Sequence, residues 1–253
     1  MNALPTPPPL PQNKINYGLD APIFQRSALF GGVAAIAASW ILGIAGGRTQ
    51  SQTALWFSSF LFWPGVSFFL TGFVMFWGSK VGKLRLRDKI IDSIAWRGDE
   101  QVLDVGCGHG LMLLAAAKRL TTGRAIGVDI WSQADQAGNS PAATMENARL
   151  ENVAERVEVQ SADARELPFA DSSFDVIVSS FVIHNLNRVA DREKVVREIA
   201  RVLKPGGRLA IADIRHTGQY ALVLRALEWT EVERGSPNFI FVTPTRVLRA
   251  RKP

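Results

Sequence analysis

The chain is poor in the residues from which disulfides and metal centres are built. Its 253 residues hold one cysteine and three histidines. A lone thiol, Cys107, cannot form an intrachain disulfide, so nothing argues for an oxidising compartment. His109, His184 and His216 are dispersed and, with Cys107, match no structural zinc spacing, so no metal site is expected. Internal repeats are absent. Most telling is where charge is missing. There is none from Ala28 to Gly47, bracketed by Arg26 and Arg48, and none from Thr49 to Ser79. About 20 apolar residues suffice to cross a bilayer core, and the second stretch is rich in Phe and Trp. Two such spans in succession point to a transmembrane hairpin. The competing reading is a buried hairpin of a soluble protein. A cleaved signal peptide fits worse, because the second span would remain after cleavage.

What charge there is lies elsewhere. The net charge is +6 and the pI near 9.8, with a mean hydropathy of +0.07. A basic balance suits nucleic acid or an anionic membrane surface. Lys80, Lys83, Arg85, Arg87 and Lys89 follow the second span at once, which favours the headgroups and leaves no nucleic-acid partner expected. Such a cluster stays cytoplasmic, so two spans put both termini and the soluble domain on that side, with Arg48 to Gln52 as a short external turn. Pro64-Gly65 should kink the second span without excluding it. Small residues recur at Gly31, Ala35, Ser39, Gly43 and Gly47, and at Ser58, Gly65, Gly72 and Ser79, stripes on which two helices could pack. The domains expected are a Pro-rich disordered arm (1–26), a two-helix transmembrane hairpin (27–79) and a soluble domain (80–253).

In the soluble part short β-rich runs alternate with helical ones. The strands expected are Gln101–Val105, Ala125–Asp129, Val157–Gln160, Phe174–Ser179 and Arg208–Ala212. Helices are expected at Leu111–Leu120, Ala142–Leu150 and Asp191–Leu203, and "WTEVE" and "TRVLRARK" look like two further strands. This alternation predicts an α/β fold with a parallel sheet covered on both faces.

"VLDVGCGHG", Val102 to Gly110, places three glycines in five residues behind a strand. A glycine-rich strand-to-helix turn lets a ligand approach the backbone, and by itself leaves open a dinucleotide site or a plain tight turn. With its neighbours it resembles the first motif of class I S-adenosylmethionine-dependent methyltransferases. "AIGVDI", "QSADARELPF", "FDVIVSSFVIHNL" and "LKPGGRLAIAD" resemble the motifs that follow, in order. The resemblance covers about Leu84 to Pro253 and leans to the quinone and small-molecule subgroup. It implies a Rossmann-like seven-stranded sheet whose last-numbered strand is antiparallel, S-adenosylmethionine as cofactor, and a donor site at the carboxyl ends of the strands.

Carried over residue by residue, Gly106, Gly108 and Gly110 would lie against the donor. Asp104 would face its ammonium or cap the loop, and Asp129 would take the ribose hydroxyls. Ile130 and Trp131 could pack on the adenine, Asp163 and Ala164 could bond it, and Ser179 and Ser180 would end the fourth strand beside the methyl group. His184 and His216 are the candidate bases, and no chemistry is expected of His109. A polar insert, Ser132 to Ser140, offers Asp135, Gln136 and Asn139 as acceptor-rim candidates. His216 to Ala226 is too short for a lid, so the hairpin and bilayer could take its place. The reading is a membrane-anchored methyltransferase acting in line on a small apolar or amphiphilic acceptor. A non-catalytic S-adenosylmethionine-binding protein and an NAD-linked oxidoreductase remain alternatives. Because every donor motif lies beyond Val102, a chain starting near Val81 is expected to keep donor binding.

Overall fold

The computed structural model describes residues 14–19, 21–132, 138–239 and 243–253. Two long helices come first, α1 (Pro22–Thr49) and α2 (Gln52–Trp77), antiparallel and joined at Gln50 and Ser51. Gln50 takes a left-handed conformation and closes α1, and Ser51 caps α2 by accepting from the Ala54 N–H. Pro64 sits inside α2 without ending it.

The helices meet on small residues. A Cβ on Gly32 or Gly72 would fall within 3 Å of backbone atoms of the opposite helix, and Ser39 and Ser58 each donate to the other's carbonyl at 2.8 Å. Ala35, Ser39 and Gly43 of the first stripe lie in this interface, but Gly31 and Gly47 face away from it, and Gly32 and Gly46 replace them. The geometry of a helix explains the exchange. A four-residue step overshoots a full turn by about 40°, so a stripe at that spacing wanders off its face. A seven-residue step falls short by only about 20°, and Ser58, Gly65 and Gly72 all stay in contact.

α2 does not stop at the soluble domain. It passes through one wide π-type turn, Gly78–Gly82, straight into α3 (Lys83–Asp92). α3 buries Leu86, Ile90 and Ile91 against the domain core. The basic cluster therefore splits. Lys80, Arg85 and Lys89 are exposed, whereas Lys83 is buried and cannot meet headgroups.

Beyond α3 lies a seven-stranded sheet in the order β3-β2-β1-β4-β5-β7-β6. The strands are β1 (Gln101–Val105), β2 (Arg124–Asp129), β3 (Val157–Ser161), β4 (Phe174–Ser180), β5 (Leu203–Asp213), β6 (Glu231–Arg234) and β7 (Arg246–Arg251). β1 to β5 run parallel, and β7 enters antiparallel between β5 and β6. The helices α4 (Leu111–Ala117), α5 (Pro141–Leu150), α6 (Val189–Val202) and α7 (Thr217–Ala226) connect them. The two faces of the sheet bury separate apolar clusters, one with α3 and α4, the other with α6 and α7. Elements were legible to within a few residues. α4 is three residues shorter than its apolar run suggests, and β5 begins back at Leu203.

Candidate active site

The carboxyl ends of β1, β2 and β4 open onto one pocket. Its lining includes Asp104, Gly106, Gly108, Asp129, Ile130, Asp163, Ala164 and Ser180. The chain can turn there because Gly106, Gly108 and Gly110 all take positive φ, at 76°, 51° and 86°. At Gly106 space forbids a side chain as well, since a Cβ would stand 2.2 Å from Val182.

Asp104 is buried, and its two oxygens differ. Oδ2 accepts from the Leu113 N–H at 2.8 Å, which ties the loop to α4. Oδ1 is enclosed and has no partner. Burial, reinforced by the nearby charge of Asp129 and opposed by the Leu113 bond, pushes this carboxyl up to about 8. The capping role foreseen for Asp104 is therefore seen at one oxygen, and the other oxygen is unpartnered. The amino group of S-adenosylmethionine is a cation of the right kind to meet it.

Asp129 also serves the loop. Its Oδ2 accepts from the Gly108 N–H at 2.8 Å, and its Oδ1 from the Trp131 N–H at 2.7 Å and the Asn139 amide at 3.2 Å. A carboxylate has about four acceptor sites, so room remains for a hydroxyl. Asn139 lines the pocket and is tied to Asp129, while Asp135 and Gln136 lie outside the described residues. Ile130 is exposed at the pocket edge, and Trp131 donates its indole N–H to Ser161. Asp163 lines the pocket, but its two oxygens fork onto Arg165, whose cation holds it below the ordinary carboxylate range. Ser180 reaches the pocket. Ser179 does not: it is buried and donates to the Val105 carbonyl at 2.8 Å, stitching β4 to β1. Alternation along a strand sends two neighbouring serines to opposite faces.

His184 sits on a short turn between Ile183 and Asn185, both of which line the pocket. Its Nδ1 lies 2.5 Å from Oδ1 of Asp213, close enough for an ion pair but not aligned as a hydrogen bond. Asp213, at the end of β5, is buried. It accepts from the His184 and Ile214 backbone N–H groups at 3.0 and 2.9 Å and from the Tyr220 hydroxyl at 3.1 Å. Burial and the Asp213 charge drive the Tyr220 phenol up, so it stays protonated as a donor. His216 is exposed at the start of α7, and desolvation and the Arg192 charge lower its imidazole. The two histidines are therefore unequal: only His184 has a buried carboxylate behind it.

Among the lining residues not foreseen as site residues are three polar ones, Tyr17, Lys83 and His109, that bear on one segment. Residues 14–19 belong to the arm expected to be disordered, yet Asn16 to Gly18 are anchored by hydrogen bonds. The Asn16 N–H donates to Asn147 Oδ1 at 3.0 Å, and Asn147 Nδ2 returns a bond to the Asn16 carbonyl at 2.9 Å. The Tyr17 hydroxyl donates to Glu151 at 2.6 Å. Lys83 donates to the carbonyls of Tyr17 and Gly18, both at 2.9 Å. His109 Nδ1 approaches the Asn16 carbonyl at 3.3 Å. The Pro-rich composition ends at Pro11, and a residue-level signal for the strap was confined to Asn16, Tyr17 and Gly18, a turn-like triplet.

Residues 103–211 match the family described as a methyltransferase domain. The 27-O-demethylrifamycin SV methyltransferase of Amycolatopsis mediterranei is 36% identical over 132 residues, covering 51% of this chain and 44% of that protein. The ubiquinone/menaquinone biosynthesis C-methyltransferase UbiE of Dinoroseobacter shibae is 35% identical over 127 residues, 50% of this chain and 47% of that protein. The chain thus spans less than half the length of these two curated relatives. The crystal structure of the [4+2]-cyclase SpnF superposes with a TM-score of 0.53 at 21% identity, covering 67% of this chain and 81% of that one. The likeness to SpnF is one of fold. The family match agrees with S-adenosylmethionine rather than a nicotinamide as cofactor.

Proposed function

We propose that residues 103–211, which match the methyltransferase-domain family, form a class I S-adenosylmethionine-dependent methyltransferase domain, and that the whole chain is a membrane-held methyltransferase whose acceptor is small, apolar or amphiphilic, and carries a proton to be removed. The observation that carries the membrane part is the exposure of the hairpin. Only 17% and 11% of the most apolar windows of its helices are buried, and Trp40, Ile41, Phe60 and Trp63 project outward. A core hairpin of a soluble protein would bury such side chains; a bilayer would cover them. The basic residues Lys80, Arg85 and Lys89 at the domain end support a cytoplasmic catalytic side.

S-adenosylmethionine, when bound, supplies a methyl carbon already activated by its sulfonium. Asp104 Oδ1 would meet the donor's ammonium and Asp129 the ribose, and the glycine loop would let the backbone lie against both. The walls exclude water and hold the acceptor in line. His184, flanked by the lining residues Ile183 and Asn185, would take the acceptor's proton as the bond from the acceptor to the methyl carbon forms, the methyl–sulfur bond breaks and S-adenosylhomocysteine leaves. Asp213 lies against the imidazole and accepts the His184 backbone N–H, and the Tyr220 hydroxyl holds Asp213 in place. A His–Asp pair suits an acceptor whose nucleophile is a hydroxyl or an acidic carbon, the two kinds of position that the names of the relatives above describe for those proteins.

Incubating membranes with the full chain and methyl-labelled donor tests the proposal. Label entering an extractable lipid or quinone fraction supports it. Donor binding without label in any fraction favours a binding protein or a different reaction on the same fold, for which the superposed cyclase is the precedent.

A further inference from the structure

The donor pocket is built from both sides of the hairpin. The strap, Asn16 to Gly18, precedes α1, and Lys83 follows α2. Tyr17 and Lys83 line the same pocket as Asp104 and Gly106, although they stand 87 and 21 residues before Asp104 in sequence. The strap has no secondary structure of its own, and the bonds that place it come from α5 with its C-cap and from α3. Asn147 of α5 grips Asn16 by both its N–H and its carbonyl, and also donates to the His109 carbonyl of the glycine loop at 2.9 Å. Glu151 holds the Tyr17 hydroxyl. Lys83, 3% exposed, caps the next two carbonyls. Gly18 turns at a φ of 72°, and its N–H donates to the Asn16 side chain at 3.0 Å. Against the outside of the Tyr17 ring stands the Arg87 guanidinium, 5.8 Å from the ring centre.

These contacts have a functional sense beyond packing. Burying a lysine ammonium is costly unless it is bonded, and here two of its bonds go to bare main-chain carbonyls of a short segment. The segment so held covers the glycine loop, where the reading above places the aminoacyl end of the donor. We propose that the strap Asn16–Gly18 is a donor-binding element, with Tyr17 forming the outer wall of the pocket and Lys83 acting as the positioning residue that latches it. The inference rests on that reading of the pocket. It also reverses the expectation that a chain starting near Val81 keeps full donor affinity, because such a chain has lost the wall.

The test uses the full chain in detergent, with S-adenosylhomocysteine as the probe. Hydrogen exchange of the peptide containing residues 14–19 is followed without and with saturating probe. The strap amides should slow on binding at least tenfold; exchange unchanged by a probe that demonstrably binds overturns the proposal. Titration calorimetry then compares variants whose folding is checked by melting. Lys83→Met and Asn147→Ala should each weaken the probe about tenfold or more. The double variant should weaken it little further, because both free the same strap. Lys83→Arg should recover part of the loss, which a mere gap in packing would not allow. Folded Lys83→Met and Asn147→Ala with wild-type affinity, beside a weakened Asp129→Ala, sink the strap and keep the donor site. Wild-type chain that binds no probe sinks the donor site itself.

Discussion

Asp104 should make donor binding depend on pH in a defined direction. Its free oxygen can meet an ammonium only when the carboxyl is ionised, and in the empty pocket that carboxyl is held up at about 8. At pH 7 about one molecule in ten is then ionised, which costs about 1.4 kcal/mol of apparent affinity. Each further unit down costs about another tenfold. Between pH 8 and pH 6 the apparent Kd should rise about 50-fold. Above about pH 8 the donor's own α-amino group starts to lose its proton, so affinity peaks there. Titration calorimetry in buffers of different ionisation enthalpy should show nearly one proton released per donor bound at pH 6 to 7. Asp104→Asn should abolish the release and flatten the profile, while weakening binding at pH 8 by about 1.5–3 kcal/mol, the worth of a charged hydrogen bond. The ligand-free protein should show the companion effect. A carboxyl raised by folding contributes stability that is complete below its unfolded value near 3.8 and is lost as pH rises through about 8. Melting temperature without donor should therefore fall across that window, and less so in Asp104→Asn. Affinity that is constant from pH 6 to 8, or an equal slope in Asp104→Asn, would refute the reasoning.

Three further outcomes are expected. His184→Asn and Asp213→Asn should each lower kcat by about 10²–10⁴-fold with donor Kd unchanged, whereas His216→Asn should do much less; equal losses at both histidines would remove His184 from its role. Gly106→Ala should abolish donor binding or folding, because the new methyl would meet Val182 at a backbone angle alanine resists; a folded variant with native affinity would contradict the close approach drawn for the loop. Cysteine placed at Ser51 in a Cys107→Ser background should react in intact cells with an impermeant thiol reagent added outside, and cysteine at Ser93 should not. The reverse pattern would invert the orientation.

The sheet was legible because its strands are short, apolar and separated by turn residues, and because the acidic and glycine residues of the loop lie close together in sequence. Asp104 and Gly106 stand together in one motif, whereas the role expected of Asp129 came only from the resemblance of "AIGVDI". What stayed hidden depends on contacts across long separations. Nothing local distinguishes Lys83 from Lys80 or Arg85; only the fold shows that one points inward onto a strap 65 residues away. Asp213 lies one residue past the strand expected at Arg208–Ala212, and only the fold sets it behind His184. Ser179 and Ser180 were taken together, although the pleat separates them. The four-residue glycine stripe was read as a face without allowing for the drift of a helix.

The wide turn at Gly78–Gly82 makes the junction between hairpin and domain a crankshaft rather than a tether. No coil interrupts the backbone from Gln52 to Asp92, so rotation of α2 about its axis is passed on to α3. The additional residue in that turn sets the phase between an outward-facing apolar cylinder and the inward face formed by Leu86, Ile90 and Ile91. Deleting one residue there would swing α3 by about 100°, taking Lys83 off its carbonyls and Leu86 out of the core. In a flexible linker the same deletion would be silent. The mouth of the pocket consequently has a fixed azimuth relative to the hairpin. An acceptor arriving along the hairpin would meet it at one angle, and the search for that angle would already have been made by the helix.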